Sequence, residues 1–220
     1  DNEKEKDGKY IMNALYRENA QRDFILEGLK SAKKDDLILI SDVDEIPKLS
    51  SINLNQIKNE IILFKQDMFY YKFNLFCEFV DWYGTKGCTK KNLISFEWLR
   101  QIKPKKYSFF RLDTFFKKDK YINLKIIKKG GWHFTRVISP EKIHQKELDT
   151  EHHDEYRVSN KNPEKIKDLI ARRVIDHDHL VDSRENKYGK EFPLKQLSLN
   201  EMPRYIQENK TQYQNFLDFD

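Results

Sequence analysis

Four consecutive branched aliphatic residues, Leu37-Ile38-Leu39-Ile40, separate the charged run Lys33-Lys34-Asp35-Asp36 from the segment Ser41-Asp42-Val43-Asp44-Glu45-Ile46-Pro47. A short apolar run bounded by charge reads as a strand buried on both faces, as in a parallel sheet covered by helices. The fold expected from it is α/β: a mixed, mainly parallel sheet flanked by helices. Open sheets of that kind bind ligands beyond the carboxyl ends of their strands, which is where residues 41–47 fall.

The rest of the chain supplies the other expected elements. Apolar residues three and four apart predict a helix over Tyr10–Ala32. Ser50 or Ser51 caps a short helix to Ile57; Ile61–Phe64 and Met68–Phe76 read as strands. Asp81–Thr89, with Gly84 and Gly87, reads as a loop, and Ser95–Ile102 as a helix stopped by Pro104. A strand is expected at Tyr121–Ile127. Ser139-Pro140 and Asn162-Pro163 are helix starts, and a last helix is expected over Met202–Leu217. There is no internal repeat and no low-complexity linker, so residues 1–220 are expected to form one domain.

Two aspartates one residue apart carry the strongest chemical signal. If strand geometry persists past Ile40, Asp42 and Asp44 leave on the same side. Two carboxylates in one place repel unless a cation neutralises them, and oxygen ligands suit a hard ion, Mn²⁺ or Mg²⁺, that can bridge to a diphosphate. The charge balance agrees: 41 basic against 36 acidic residues give +5, suited to an anionic ligand but too weak to imply nucleic acid. No apolar run approaches the ~18–20 residues of a membrane span, and the first ten residues are too polar for a signal peptide. Cys77 and Cys88 lack metal-ligand spacing. A reducing, cytoplasmic setting is the expectation, with a Cys77–Cys88 bridge as the less favoured alternative.

Leu37 to Pro47, as L-I-L-I-S-D-V-D-E-I-P, resembles the signature of glycosyltransferase family 17, which includes the β-1,4-N-acetylglucosaminyltransferase that adds the bisecting residue to N-glycans. Arg22-Asp23 lies before the strand as in that family. Gly131-Trp132-His133-Phe134 is similar to its G-W-H-F block, and His153-Asp154-Glu155-Tyr156 to its H-x-E-aromatic block. Met202-Pro203-Arg204-Tyr205 with Asn209 resembles its closing L-P-x-Y-x-x-x-N. Two features depart from the pattern. Family members have further strands before this one, so the expectation is a fragment or an incomplete donor site. The family's glycine-aspartate turn is replaced by Asp176-His177-Asp178-His179.

The resemblance implies a GT-A-like fold and inverting transfer of N-acetylglucosamine from a UDP-linked donor to a glycan hydroxyl. Asp44 is then the first choice for metal contact, with Asp42 touching metal, its water or the donor ribose. Glu155 and Glu45, and more weakly Asp81 or Asp113, are the candidates for the general base, and spacing does not rank them. His133 is an extra metal or diphosphate contact, or a packed core histidine. Trp132 stacks on a sugar or is simply buried. Arg22 pairs with phosphate, or structurally with Asp36 or Glu45.

Two other classes compete. His152, His153, His177 and His179 among acids suggest a metal-dependent hydrolase, although they are expected in charged helical stretches. Lysines and arginines from Lys103 to Lys129 interleave with aromatics in the manner of a single-strand nucleic-acid binder, without a recognised motif.

Overall fold

The computed structural model describes residues 3–53, 57, 60–104, 123–149, 156–157, 159–179 and 188–219. Helix α1 (Glu3–Phe24) runs into a 3₁₀ segment, Ile25–Leu29, and strand β1 (Leu37–Ile40) follows. Next come β2 (Glu45–Pro47), a 3₁₀ turn at Leu49–Ser51, β3 (Ile61–Tyr70), β4 (Leu75–Thr89) and α2 (Phe96–Gln101). After these lie β5 (Leu124–Ile127), β6 (Gly131–Thr135), α3 (Pro140–Asp149), α4 (Pro163–Ala171) and β7 (Val174–His177). The chain ends with β8 (Tyr188–Pro193), β9 (Lys195–Gln196), α5 (Arg204–Glu208) and the 3₁₀ turn Gln214–Phe216.

The mainly parallel, GT-A-like sheet expected from the sequence is not what forms. The fold is mixed α/β with a mostly antiparallel sheet. Its strand order is β1-β4-β3-β6-β2, with β5 also on β3 and β9 also on β4, while β7 and β8 form a separate pair. β1 stands at one end of that order. It runs antiparallel to β4, from Leu37 opposite Thr89 to Ile40 opposite Lys86. Parallel pairing joins β3 to β5 and to β6. The physical reason for the misreading lies in β1. Ile38 and Ile40 are buried, whereas Leu37 and Leu39 are only half-covered, so one apolar face does the packing. Four residues are too few for hydrophobicity alone to reveal which.

β4 corrects a second expectation, because the glycine-bearing stretch 81–89 is strand rather than loop. Glycine inside a strand marks close approach of another group. A Cβ on Gly87 would stand 2.4 Å from Leu39 Cδ2, and one on Gly84 would meet Gln66 and Glu45 side-chain atoms within 2.7 Å. β3 is one ten-residue strand that runs past the expected Ile61–Phe64, and the expected strand Met68–Phe76 instead straddles the bend at 71–74 between β3 and β4. The predicted C-terminal helix shrinks to α5 and a 3₁₀ turn, and His177 lies on β7, not on a helix. Cys77 and Cys88 are both free and buried, eleven positions apart along β4.

The chain divides into two compact units. One comprises Asp1–Ala14, Asp67–Asp81 and Trp132–Asp220, and the other Leu15–Gln66 and Trp82–Gly131. In the second unit, Ile38, Ile40, Ile61, Leu63, Phe96, Leu99 and Leu124 form the core. Each such side chain contributes roughly 1.5–3 kcal/mol by leaving water. Helix α2 enters this core through Phe96, Trp98 and Leu99, and Ser95 caps it, its hydroxyl accepting from the Trp98 N–H at 3.0 Å, a cap that contributes about 1 kcal/mol. In the first unit, Phe69 and Phe134 pack with Met202, Ile206 and Leu217. Asn162 caps α4 there by accepting from the Lys165 N–H at 2.9 Å. Among the described residues no helix is long and apolar enough to cross a membrane.

Candidate functional site: an acidic turn braced by arginine

Strand geometry ends at Ile40, so the alternation expected to align Asp42 with Asp44 does not persist. Instead the chain turns between Asp42 and Glu45. The Glu45 N–H donates to the Asp42 carbonyl at 3.0 Å. In return the Asp42 N–H donates to Glu45 Oε2, also at 3.0 Å. The turn is therefore closed once by backbone and once by the glutamate side chain.

Glu45 is the hub of the second unit's polar network, and its side chain is 0% exposed. Oε1 accepts from Trp82 Nε1 at 3.0 Å and from Arg100 Nη2 at 3.1 Å. Oε2 accepts from Arg100 Nη1 at 2.9 Å and from the Asp42 N–H. A carboxylate offers about four lone-pair positions, and all four are taken. Gly84 makes room for this arrangement, and its carbonyl accepts from Arg100 at 2.7 Å.

Arg100, on the last turn of α2, also reaches Asp42 Oδ2 at 2.5 Å. Arg22, on the last turn of α1, lies 3.8 Å from Asp42 Oδ1 and pairs with Glu18 at 2.5 Å. The Asp42 carboxyl group remains 40% exposed between these guanidiniums. Burial pushes its pKa above the ordinary value; Arg100 pulls it back, Glu45 adds to the rise, Arg22 lowers it and Asp44 raises it slightly. Asp44, two positions further on, is half-buried. Below the turn, Ser41 Oγ meets Thr85 Oγ1 at 2.6 Å, and Gln66 bonds both the hydroxyl and the N–H of Thr85. Lys86 is buried and donates to the Arg100 and Ile102 carbonyls, ending α2; burial first, then the Arg100 charge, brings its ammonium pKa down to about 8.

The structure thus brings Arg22, Asp42, Asp44 and Glu45 into one unit. His133 and Trp132 belong to the other. His133 is buried on β6 in register with Met68, and Trp132 packs on that unit's core and donates from Nε1 to the Glu201 carbonyl at 2.8 Å. Asp81 is exposed on β4. Glu155 and Asp113 lie outside the described residues, as do His152, His153 and most of the lysine-aromatic stretch. Sequence reasoning missed Arg100 and Trp82. The one signal in the sequence is the pair Gly84 and Gly87, which fits a close approach within 82–87 as well as it fits a turn.

A hard cation that bridges to a diphosphate needs only one or two protein carboxylates, the phosphates supplying the rest. Asp42 and Asp44 meet that number. Among the described residues no group of three or more His, Cys, Asp or Glu could by itself hold a metal ion, so a cation would depend on the diphosphate to complete its shell. Of the histidines of the hydrolase reading, the two described ones are engaged as follows: His179 Nε2 is hydrogen-bonded to the Tyr70 hydroxyl, and His177 packs edge-on to His179 and Tyr188. No family model, no curated protein and no solved structure matches the chain.

Proposed function

We propose that this chain is a metal-dependent inverting glycosyltransferase, moving N-acetylglucosamine from its UDP-linked donor to a glycan hydroxyl through the Asp42–Glu45 turn. The reading rests on site residues and on the family-like blocks of the sequence, not on the fold, since fold alone does not define chemistry. The observation that carries it is the half-exposed Asp42 carboxylate, held between Arg100 and Arg22 at the end of β1 and beside Asp44.

In this reading Asp42 and Asp44 hold Mn²⁺ or Mg²⁺ together with the donor diphosphate. Bound there, such an ion would supply Lewis-acid stabilisation of negative charge on the diphosphate. Arg22, on the outer side of Asp42, offers a guanidinium to phosphate oxygens. Glu45 has no lone pair left for a proton from the acceptor hydroxyl, so in this reading its role is to position Asp42.

Calorimetric titration of UDP, with and without Mn²⁺, tests the reading on the wild type and on Asp44→Asn. Metal-dependent UDP binding that vanishes in the variant supports it, with Mn²⁺ alone binding weakly. Equal UDP binding in both proteins, or none in either, overturns it.

A further inference from the structure

A cavity of about 430 Å³ opens in the first unit, which contains none of the residues of the acidic turn. Its volume lies within the range of small-ligand sites. Ile138, Ile170 and Phe216 give it an apolar wall, and Lys72, Lys142 and Lys167 contribute ammonium groups. No carboxylate is among the lining side chains of the described residues.

Several elements fix this composition. Tyr71, after β3, takes a left-handed conformation with φ of 64°, turning the chain so that Lys72 Nζ donates to the Asn215 carbonyl at 2.6 Å. The Phe73 N–H then donates to the Phe216 carbonyl at 2.8 Å, which ties the C-terminal 3₁₀ turn to this bend. Lys142 belongs to the first turns of α3. Lys167 and Ile170, three residues apart on α4, share a helix face, so charge and apolar wall arrive on one element. Glu141 interacts with Lys167 but is fully exposed. Its carboxyl pKa is lowered first by its own backbone N–H and the Ser139 hydroxyl, and least by Lys167.

Apolar walls recover free energy from a hydrocarbon body, while three ammonium groups, with no acid among the described lining residues, reject cations and favour an anionic head. We propose that this cavity binds a compact amphipathic anion: a short alkyl or small ring body carrying a carboxylate or a phosphate. It is a binding site separate from the acidic turn, and it does not depend on the glycosyltransferase reading.

The test is displacement of the fluorescent sulfonate 1-anilinonaphthalene-8-sulfonate from the full chain. Decanoate, decyl phosphate and uncharged decanol serve as competitors. Both anions should displace it at about tenfold lower concentration than decanol, the summed preference of two or three partly exposed ion contacts. Their ranking tells carboxylate from phosphate. Lys142→Gln with Lys167→Gln should bring anion and alcohol to within about twofold while leaving the unfolding midpoint unchanged. Ile170→Trp, which fills the cavity, should weaken the dye itself. Decanol competing as well as decanoate on the wild type overturns the proposal. So does a double variant that keeps the anion preference, or Ile170→Trp at full dye affinity.

Discussion

Replacing Glu45 by glutamine isolates the interaction on which the acidic turn stands. Each carboxylate oxygen accepts two hydrogen bonds, so whichever position the amide nitrogen takes, two donors lose their acceptor. The change also removes the fully buried counter-charge of Arg100, whose side chain is only 12% exposed. Breaking a buried ion pair from one side costs about 3–5 kcal/mol. Arg100 keeps Asp42 at 2.5 Å and the Gly84 carbonyl at 2.7 Å, so the expected loss is lower, about 2–4 kcal/mol. For a chain of this size about 3 kcal/mol lowers the thermal midpoint by roughly 6–12 °C. Urea unfolding followed by tryptophan fluorescence is well placed to read it, because Trp82 is one of the donors. Glu45→Gln and Arg100→Met combined should cost less than the sum of the two, with a coupling above about 1 kcal/mol. A Glu45→Gln midpoint within about 2 °C of wild type would refute the hub assignment.

Gly84→Ala should destabilise by about 1–3 kcal/mol in urea, because its Cβ would stand 2.1 Å from Gln66 Oε1 and 2.6 Å from Glu45 Cδ, both held by hydrogen bonds; an unchanged midpoint would count against the packing described. Lys86 gives a pH signature. Its folded-state pKa of about 8 lies below the ordinary 10.5, so the unfolded chain binds more protons between those values and wild-type stability should rise with pH across that window. Lys86→Met should flatten the rise, and equal slopes for both proteins would reject it. Burial raises both cysteine thiols to about 12, so Ellman's reagent at pH 8 should react with neither in the native chain and with both in guanidinium. Fast reaction of the native protein would contradict the burial of Cys77 and Cys88.

Much of the local structure was legible in the sequence, and the reasons are local. β1 and the two Pro-initiated helices depend on neighbouring residues: a charged boundary, a capping Ser139 or Asn162, and a proline at the first helical position. What failed was pairing. Whether Leu37–Ile40 has parallel or antiparallel neighbours is decided by residues 86–89, about fifty positions away, and nothing in four aliphatic side chains encodes that choice. Gly84 and Gly87 misled for the same reason: glycine allows both a turn and a close approach, and only the partners Glu45, Gln66 and Leu39 decide between them. At the candidate site, type and spacing single out Asp42 and Asp44, and the family resemblance singles out Arg22. Arg100 was not, because it looks like any surface arginine on a short helix until Glu45 is seen opposite it.

The four-donor seating of Glu45 has a consequence for portability. A designer who moved residues 37–47 to another scaffold would carry the acidic letters but not the posture of Asp42. The indole at 82, the bare α-carbon at 84 and the guanidinium at 100 all belong to the same fitting, and they arrive from β4 and α2. The transplantable object is a discontinuous cassette of strand, strand and helix. A scan that scores the aspartates alone would accept chains in which that posture does not exist.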